Sequence, residues 1–333
     1  MRILAIESSC DETAAAVLDG AWTLRSNVIA TQTDLHAPFG GVVPEIASRR
    51  HVEIITSVIH QSLKEAGCRL EDLEGIAVTN RPGLIGSLLV GVQAAKGLAL
   101  ACSLPLVGVH HIEGHLFSNF VAAGGARVPA VALVASGGHT ELFYVRQLHD
   151  YLVLGRRRDD AAGEAFDKGA RLLGLGNGGG AALERLARGG DPAAVPFPRA
   201  RTDPPLDFSF SGVKTALVRL LREPSPPSFP DVAASYQAAI VDVLVERCRL
   251  SLERTRARTL LVAGGVAANS ALRSRMQTMA AERGREVLFP PLPLCTDNAG
   301  MISAVGHSLL DRGIRHDLDL EVLAREPLTV KAY

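Results

Sequence analysis

The sequence predicts an α/β protein built from two similar halves, and three observations carry that reading. A strand–turn–strand unit occurs twice. The apolar run Met1-Arg2-Ile3-Leu4-Ala5-Ile6-Glu7 meets the polar turn Ser8-Ser9-Cys10-Asp11-Glu12-Thr13 and then Ala14-Ala15-Ala16-Val17-Leu18. Ala130-Val131-Ala132-Leu133-Val134-Ala135, Ser136-Gly137-Gly138-His139-Thr140 and Glu141-Leu142-Phe143-Tyr144-Val145 repeat the pattern. Each copy is followed by alternating helical and strand periodicities, and 333 residues with 47% hydrophobic content suffice for two separate cores. Small hydroxylated and glycine residues between tight strands leave backbone N–H groups to face a phosphate. One such turn is an ordinary hairpin. Two, each opening a half of similar length, predict a duplicated fold with a nucleotide between its lobes.

The first half continues with helical periodicity over 45–66, a strand over 73–79, an apolar helix over 86–100 and a strand over 104–109. In the second half a helix over 163–173 runs into a glycine-rich stretch, 174–180. The loop Phe208-Ser209-Phe210-Ser211-Gly212 precedes a helix over 213–221, and the proline-rich stretch 223–230 reads as the best internal linker. An amphipathic helix over 231–255, a buried parallel strand over 259–263 and a helix over 270–283 follow. Prolines over 290–293 break the chain before Cys295-Thr296-Asp297-Asn298-Ala299-Gly300 opens a last helix.

Lys plus Arg balances Asp plus Glu at 35 each, so the chain as a whole does not attract nucleic acid. A nucleic-acid partner needs a local basic patch, for which Arg49-Arg50, Arg156-Arg157-Arg158 and the stretch 254–258 are the candidates, or help from another subunit. Five scattered cysteines, odd in number and without a Cys-x-x-Cys pair, argue against a disulfide framework and a thiolate zinc site and fit a reducing cytosol. Met1 runs directly into a strand, which is expected to leave no room for a signal peptide. The most apolar window, 84–109, is interrupted by Gln93, Lys96 and Pro105 and reads as a buried helix followed by a strand, with no membrane association.

The stretch Val109-His110-His111-Ile112-Glu113-Gly114-His115 carries the most chemistry. On a helix, His111 and His115 share a face and two imidazoles converge on one ion. A zinc-protease helix requires Glu beside its first His, and Ile112 stands there, so that activity is excluded. Asp297 opens a helix either as its N-cap or as a third ligand; two imidazoles and a carboxylate with open positions suit Zn(II) or Fe(II). The glycines of Gly264-Gly265-Val266-Ala267-Ala268-Asn269 follow a parallel strand, where a phosphate or sugar binds; Asn269 either holds a nucleotide group or caps the next helix. Asp159-Asp160 and the acids after them favour the start of a helix by charge and dipole. Asp167 and Glu184 are candidate acceptors for ribose hydroxyls, with Asn177-Gly178-Gly179-Gly180 letting the backbone approach a sugar.

Taken in order, Asp11-Glu12-Thr13, Gly40-Gly41-Val42-Val43-Pro44-Glu45, the His-x-x-x-His segment, Ser136-Gly137-Gly138-His139-Thr140, Ala161-Ala162-Gly163-Glu164-Ala165-Phe166-Asp167-Lys168, Phe208-Ser209-Phe210-Ser211-Gly212-Val213-Lys214-Thr215, Gly264-Gly265-Val266-Ala267-Ala268-Asn269 and Cys295-Thr296-Asp297-Asn298 are no longer generic. Together they closely resemble the bacterial tRNA N6-adenosine threonylcarbamoyltransferase family TsaD, formerly Gcp, over nearly the whole chain. The resemblance implies a two-lobed actin-like ATPase fold of duplicated RNase H-like domains. The first lobe, 1–128, would carry the histidines, and the second, 129–333, the adenylate site and the Asp ligand. It implies transfer of a threonylcarbamoyl group from threonylcarbamoyl-AMP to N6 of adenine 37 in tRNAs reading ANN codons. By the same resemblance His111, His115 and Asp297 would bind one Fe(2+), with Zn(2+) as the alternative. Val134, Ala135, Ser136, Gly137, Gly138, Asp167, Gly180, Glu184 and Asn269 would bind the adenylate. Asp11 or Glu12 is the candidate proton relay. The implied partners are tRNA, a TsaB-like actin-fold paralogue and a TsaE-like ATPase, in the cytoplasm.

Departures from the family pattern are specific. Asn80-Arg81-Pro82-Gly83 stands where a Gly-Pro-Gly turn is general, placing a charge near the expected site. Gly178-Gly179-Gly180-Ala181 replaces a proline-flanked glycine pair, and Ala135 stands where Val is common. Val134 occupies the place of a tyrosine ligand in archaeal and eukaryotic relatives, leaving three protein ligands. Two other readings compete: an ATP-dependent small-molecule kinase of the same architecture, which calls for Mg(2+) on carboxylates and gives no reason for paired His, and a non-catalytic nucleotide-binding scaffold.

Overall fold

Apolar runs flanked by turn residues form the strands. The computed structural model describes residues 1–176 and 179–328. The chain opens with β1 (Arg2–Glu7), β2 (Glu12–Asp19) and β3 (Thr23–Thr31), then the short α1 (Thr33–His36) and the long α2 (Pro44–Ala66). β4 (Gly75–Arg81), α3 (Ile85–Cys102), β5 (Leu106–His110) and α4 (His111–Ala123) complete the first part. A second series follows: β6 (Ala130–Ala135), β7 (Thr140–Gln147), β8 (Asp150–Arg156), α5 (Ala162–Leu172), α6 (Gly179–Ala187), α7 (Ser211–Leu220), α8 (Phe229–Thr255), β9 (Thr259–Ala263), α9 (Ser270–Ala281) and β10 (Glu286–Leu288). The last helix is α10 (Ala299–Asp311).

These elements make two five-stranded sheets with one wiring. In the first, ordered β3-β2-β1-β4-β5, the strands β1, β2 and β3 run antiparallel as a meander, while β4 and β5 run parallel to β1. The second repeats it as β8-β7-β6-β9-β10. Strands β4 and β6 are buried along their whole length, as parallel-paired strands covered on both faces must be, which is why they read as continuous apolar runs. The duplication legible in the two strand–turn–strand units is thus a duplication of the whole sheet. The outer strands β3 and β8 are mostly half-buried or exposed and carry a weaker signal.

The domain boundaries differ from the expected division at 128. The compact units are Met1–Ala126 with Pro290–Tyr333, and Arg127–Phe289. The segment after Pro290 therefore belongs with the first half, not the second. The cause is α10, an apolar helix that packs on β1, β2, β4 and α4. Its Gly306 lies so close to β4 that a Cβ there would meet Ala77 Cβ at 2.2 Å. The proline-rich stretch expected as a linker lies within the second unit and leads into α8, whose first turn is capped by Ser228 accepting from the Asp231 amide at 3.3 Å. Its last proline, Pro230, stands in the first turn of α8, where a missing N–H costs nothing.

Helix α3 is long and apolar enough to cross a membrane by length and composition alone. It is a one-sided core helix: Leu88, Val92, Ala95 and Ala99 are buried, and Leu89 and Leu100 face outward. On α2, Ile55 and Ile59 join the core of the first unit, while Val52 is 64% exposed.

Candidate functional site

In the first unit α4 starts at the residue after β5 ends, so its first turn stands at the carboxyl end of a parallel strand. His111 and His115 share a face of this helix, with ring centroids 4.8 Å apart. Between them, Gly114 admits α10. A Cβ there would meet Ile302 Cδ1 at 2.7 Å and Met301 Cγ at 3.1 Å. That close approach sets Asp297, just before α10, against both imidazoles: its Oδ1 is 3.4 Å from His111 Nε2 and 3.3 Å from His115 Nε2. The helix cap is Asn298, whose Oδ1 accepts from the Met301 amide at 2.9 Å, so the cap reading of Asp297 is excluded.

The three side chains fit a metal ion. Their ligand atoms lie within 4.8 Å of one another. Donors bonded at about 2.0–2.2 Å to one tetrahedral ion stand roughly 3.3 Å apart, as both imidazole–carboxylate pairs do. Among the described residues, Nδ1 of the fully buried His115 has no hydrogen-bond partner.

A further acid, Glu7, supports the group from behind. His111 Nδ1 is 3.0 Å from Glu7 Oε2 and 3.2 Å from Ser9 Oγ. Thr79 Oγ1 donates to Glu7 Oε2 at 2.6 Å and the Ser9 amide to Oε1 at 2.5 Å. With Nδ1–H held by a carboxylate, Nε2 faces the other carboxylate and is the nitrogen that could serve a metal. Sequence reasoning passed over Glu7; its only signal is an acid ending an otherwise apolar strand. It also missed His51 of α2, which donates Nε2–H to the Cys10 carbonyl at 2.9 Å and accepts from Thr13 Oγ1 at 2.7 Å, fixing the turn that bears Asp11 and Glu12.

Burial opposes charge on His111, but Asp297 and Glu7 outweigh it and hold the imidazole well above its usual pKa. Asp297 lies well below the carboxylate range: burial would raise it, and His111 and His115 prevail. Burial lowers His115. Glu12 is pushed up to about 10 by burial, Asp297 and Asp11. Asp11 is half-buried, and its carbonyl accepts from the Gln32 amide at 3.0 Å.

The second unit contains a pocket of about 230 Å³ lined by Gly137, Phe166, Asp167, Gly180, Glu184 and Asn269 among others. Two glycines bring its walls together: a Cβ on Gly163 would meet the Ser136 carbonyl oxygen at 2.5 Å, and one on Gly264, at φ +88°, the Ala135 carbonyl oxygen at 2.4 Å. Asp167 Oδ1 accepts from the Gly180 amide at 2.9 Å, and burial raises its pKa. Glu184 accepts from the Ser270 amide at 3.1 Å and from Asn269 Nδ2 at 3.3 Å. Asn269 is the helix cap: its oxygen accepts from the Leu272 amide at 2.9 Å at the start of α9, while its nitrogen donates to Gln237 Oε1 at 2.8 Å beside the pocket.

Other expected positions lie elsewhere. Val134 and Ala135 are fully buried in β6, paired with β7. The Ser136 amide is not free for a phosphate; it donates to the His139 carbonyl at 2.8 Å and closes the turn. Gly138 is exposed at the turn and is not among the lining residues. Asn177 and Gly178 lie outside the described residues. Asp159 does more than favour a helix start: it accepts from the Phe210 amide at 2.8 Å and from the Ser209 and Ser211 hydroxyls at 2.5 and 2.6 Å, organising the loop before α7.

Comparison with known proteins supplies the family. Residues 23–304 match the family TsaD, tRNA N6-adenosine threonylcarbamoyltransferase. The chain belongs to this family. Among similar proteins, the tRNA N6-adenosine threonylcarbamoyltransferase of Symbiobacterium thermophilum is 52% identical over 96% of this chain and 95% of its own length. That of Trichlorobacter lovleyi is 52% identical over 98% and 97%. Solved structures give the fold. HypF of T. kodakarensis superposes with a TM-score of 0.61 at 13% identity, covering 96% of this chain and 49% of that one. Component A of the Acidaminococcus fermentans (R)-2-hydroxyglutaryl-CoA dehydratase gives 0.57 at 12% identity, covering 94% and 98%. The fold is thus the actin-like one, and this member of the family is a transferase acting on tRNA adenosine; the kinase reading is not favoured.

Proposed function

We propose that this TsaD-family transferase moves the threonylcarbamoyl group of threonylcarbamoyl-AMP to N6 of adenine 37 in tRNAs reading ANN codons, releasing AMP, in the cytoplasm. The observation that carries the reading is the convergence of His111, His115 and Asp297 in a chain of this family. These three residues would hold one Fe(2+), or Zn(2+), whose chemistry is to polarise an acyl oxygen of the donor.

The donor is a mixed carbamic–phosphoric anhydride, already activated, so no protein nucleophile is required. As N6 attacks the carbamoyl carbon, the bond to the phosphate oxygen breaks, AMP departs and N6 loses a proton. Glu7 and Ser9 keep the His111 ring turned so that Nε2 faces Asp297. In the second unit, the amide of Gly137 is assigned to the phosphate, and Asp167, Gly180, Glu184 and Asn269 to the nucleoside. The lining of the pocket by Gly137, Asp167, Gly180, Glu184 and Asn269 supports this. Val134, Ala135 and Ser136 contribute by shaping the turn from β6. Asp11 or Glu12 takes the proton from N6.

The test is mass spectrometry of tRNA nucleosides from cells depleted of the protein. Loss of N6-threonylcarbamoyladenosine, restored by the wild-type chain and not by Asp297→Ala, is expected. Unchanged modification on depletion would overturn the reading.

A further inference from the structure

Residues that follow α10 run alongside β5 from its first residue, Leu106, to the end that carries the candidate metal ligands. The His316 amide donates to the Leu106 carbonyl at 2.8 Å, and its Nδ1 accepts from the Gly108 amide at 3.1 Å. Leu320 and Leu328 are buried. Between them Asn80 is bound three ways: its Nδ2 donates to the Glu321 carbonyl at 2.9 Å, its carbonyl accepts from the Leu323 amide at 3.0 Å, and its Oδ1 accepts from Arg81 Nη1 at 2.6 Å.

Glu326 joins this segment to the ligand helix. His110 Nδ1 accepts from the Ile112 amide at 3.2 Å, so Nε2 carries the proton, and it donates to the Glu326 carbonyl at 2.9 Å. That imidazole caps the first turn of α4 one residue before the ligand His111. The Glu326 carboxylate meets Arg81 Nε at 2.7 Å, with the two side chains only 14% and 8% exposed. Arg81 was expected to add charge near the site; it is instead a buried ion pair, at a position where the family resemblance leads one to expect glycine.

We propose that residues 316–328 form a strap that positions the metal-ligand helix, and that the Arg81–Glu326 pair is its lock. The proposal rests on the metal reading of His111, His115 and Asp297. One residue, Glu326, holds the cap of the ligand helix with its main chain and the end of β4 with its side chain. Loosening it frees the His110 ring and, with it, the turn that aims His111. Removing Glu326 also leaves the buried Arg81 guanidinium without its opposite charge.

The experiment titrates Co(2+) into purified protein, followed by its visible absorption well below the melting temperature. It compares wild type, Arg81→Ala, Glu326→Ala and the swapped pair Arg81→Glu with Glu326→Arg. Amide hydrogen exchange of residues 110–115 is measured without metal. Each single variant is expected to weaken Co(2+) binding by about ten- to a hundredfold, the range for residues supporting a ligand, and to speed exchange in the first turn of α4. The swapped pair is expected to recover part of both. Unchanged affinity and exchange in both single variants, or loss without recovery in the swap, would overturn the strap. Failure of wild type to bind Co(2+) would instead strike the metal reading, and the exchange data would still decide the strap. Should Glu326→Ala not fold, Glu326→Gln, which keeps the carbonyl contact to His110, decides in the same way.

Discussion

At the residue scale, the ligand set is a matter of which atoms are already spoken for. Asn298 caps α10 and Glu7 holds Nδ1 of His111, which leaves Asp297 and the Nε2 atoms facing one another. Protein purified anaerobically is expected to carry close to one Fe or Zn per chain, and His111→Ala with His115→Ala to carry none. Full occupancy in the double variant, by elemental analysis, would remove the assignment. Glu7→Gln should lower metal affinity by about ten- to a hundredfold without abolishing it. The histidine spacing and Asp297 were legible in the sequence because helical periodicity and residue chemistry are local. Glu7 was not, since its partner His111 lies far away in the chain. For the pocket, Asp167→Ala and Glu184→Ala are each expected to weaken adenine-nucleotide binding by about ten- to a hundredfold, roughly 1.5–3 kcal/mol per charge-assisted hydrogen bond. Calorimetry showing unchanged affinity in both would move the ribose elsewhere. Glu184→Ala should also lower the melting temperature, because that carboxylate ties α6 to the Ser270 amide at the start of α9.

At the element scale, the loop before α7 depends on two neighbouring acids. Burial would raise Asp159, but the Ser209 and Ser211 hydroxyls and two amides outweigh it; Asp160 is likewise depressed, by Lys168 and Lys214 against burial. Both therefore titrate below their unfolded values. The stability they contribute is present above about pH 4 and is lost as pH falls through the folded values. Asp159→Asn should melt lower at neutral pH and lose less stability than wild type between about pH 5 and pH 3; parallel acid-melting curves would contradict this. Backbone packing gives a second expectation. Gly264→Ala forces a Cβ into the Ala135 carbonyl at a positive φ and should cost at least about 1–3 kcal/mol by denaturant unfolding, together with a disturbed pocket. Strands β1, β6 and β9 and helices α2 and α8 were legible because they are long or wholly apolar. The outer strands β3 and β8 and the three-residue β10 were not legible: the first two are part polar and mostly half-buried, and the last is too short to show a period.

At the scale of the whole molecule, the sequence marks where the second half starts but not where the chain crosses back. A proline-rich stretch, 223–230, looks like a linker by composition, yet the crossing comes at Pro290, decided by long-range packing of α10 on β1, β2 and β4 that no local signal announces. Charge is the whole-molecule property that bears most on function. With 35 basic and 35 acidic residues, the chain has little long-range pull on tRNA, and its arginine clusters are short. Nor does it offer an aromatic stacking motif for bases, with 5% aromatic residues. The expectation is that the isolated chain is nearly inactive and that a paralogous actin-fold partner and an ATPase complete the RNA surface. The amphipathic α2 could offer Ile46, Val52, Ile55 and Ile59 to a partner helix; of these, Ile55 and Ile59 are core and Ile46 is half-buried, so Val52 is the exposed one. Reconstitution with synthetic donor and unmodified tRNA, with and without these partners, over a salt series, measures the dependence. Activity that needs the partners and falls steeply with salt is the expected result, because each phosphate neutralised on binding releases counterions and steepens the salt slope. Full multiple-turnover activity of the isolated chain, flat across the salt series, would show that this transferase carries its own RNA site despite its balanced charge.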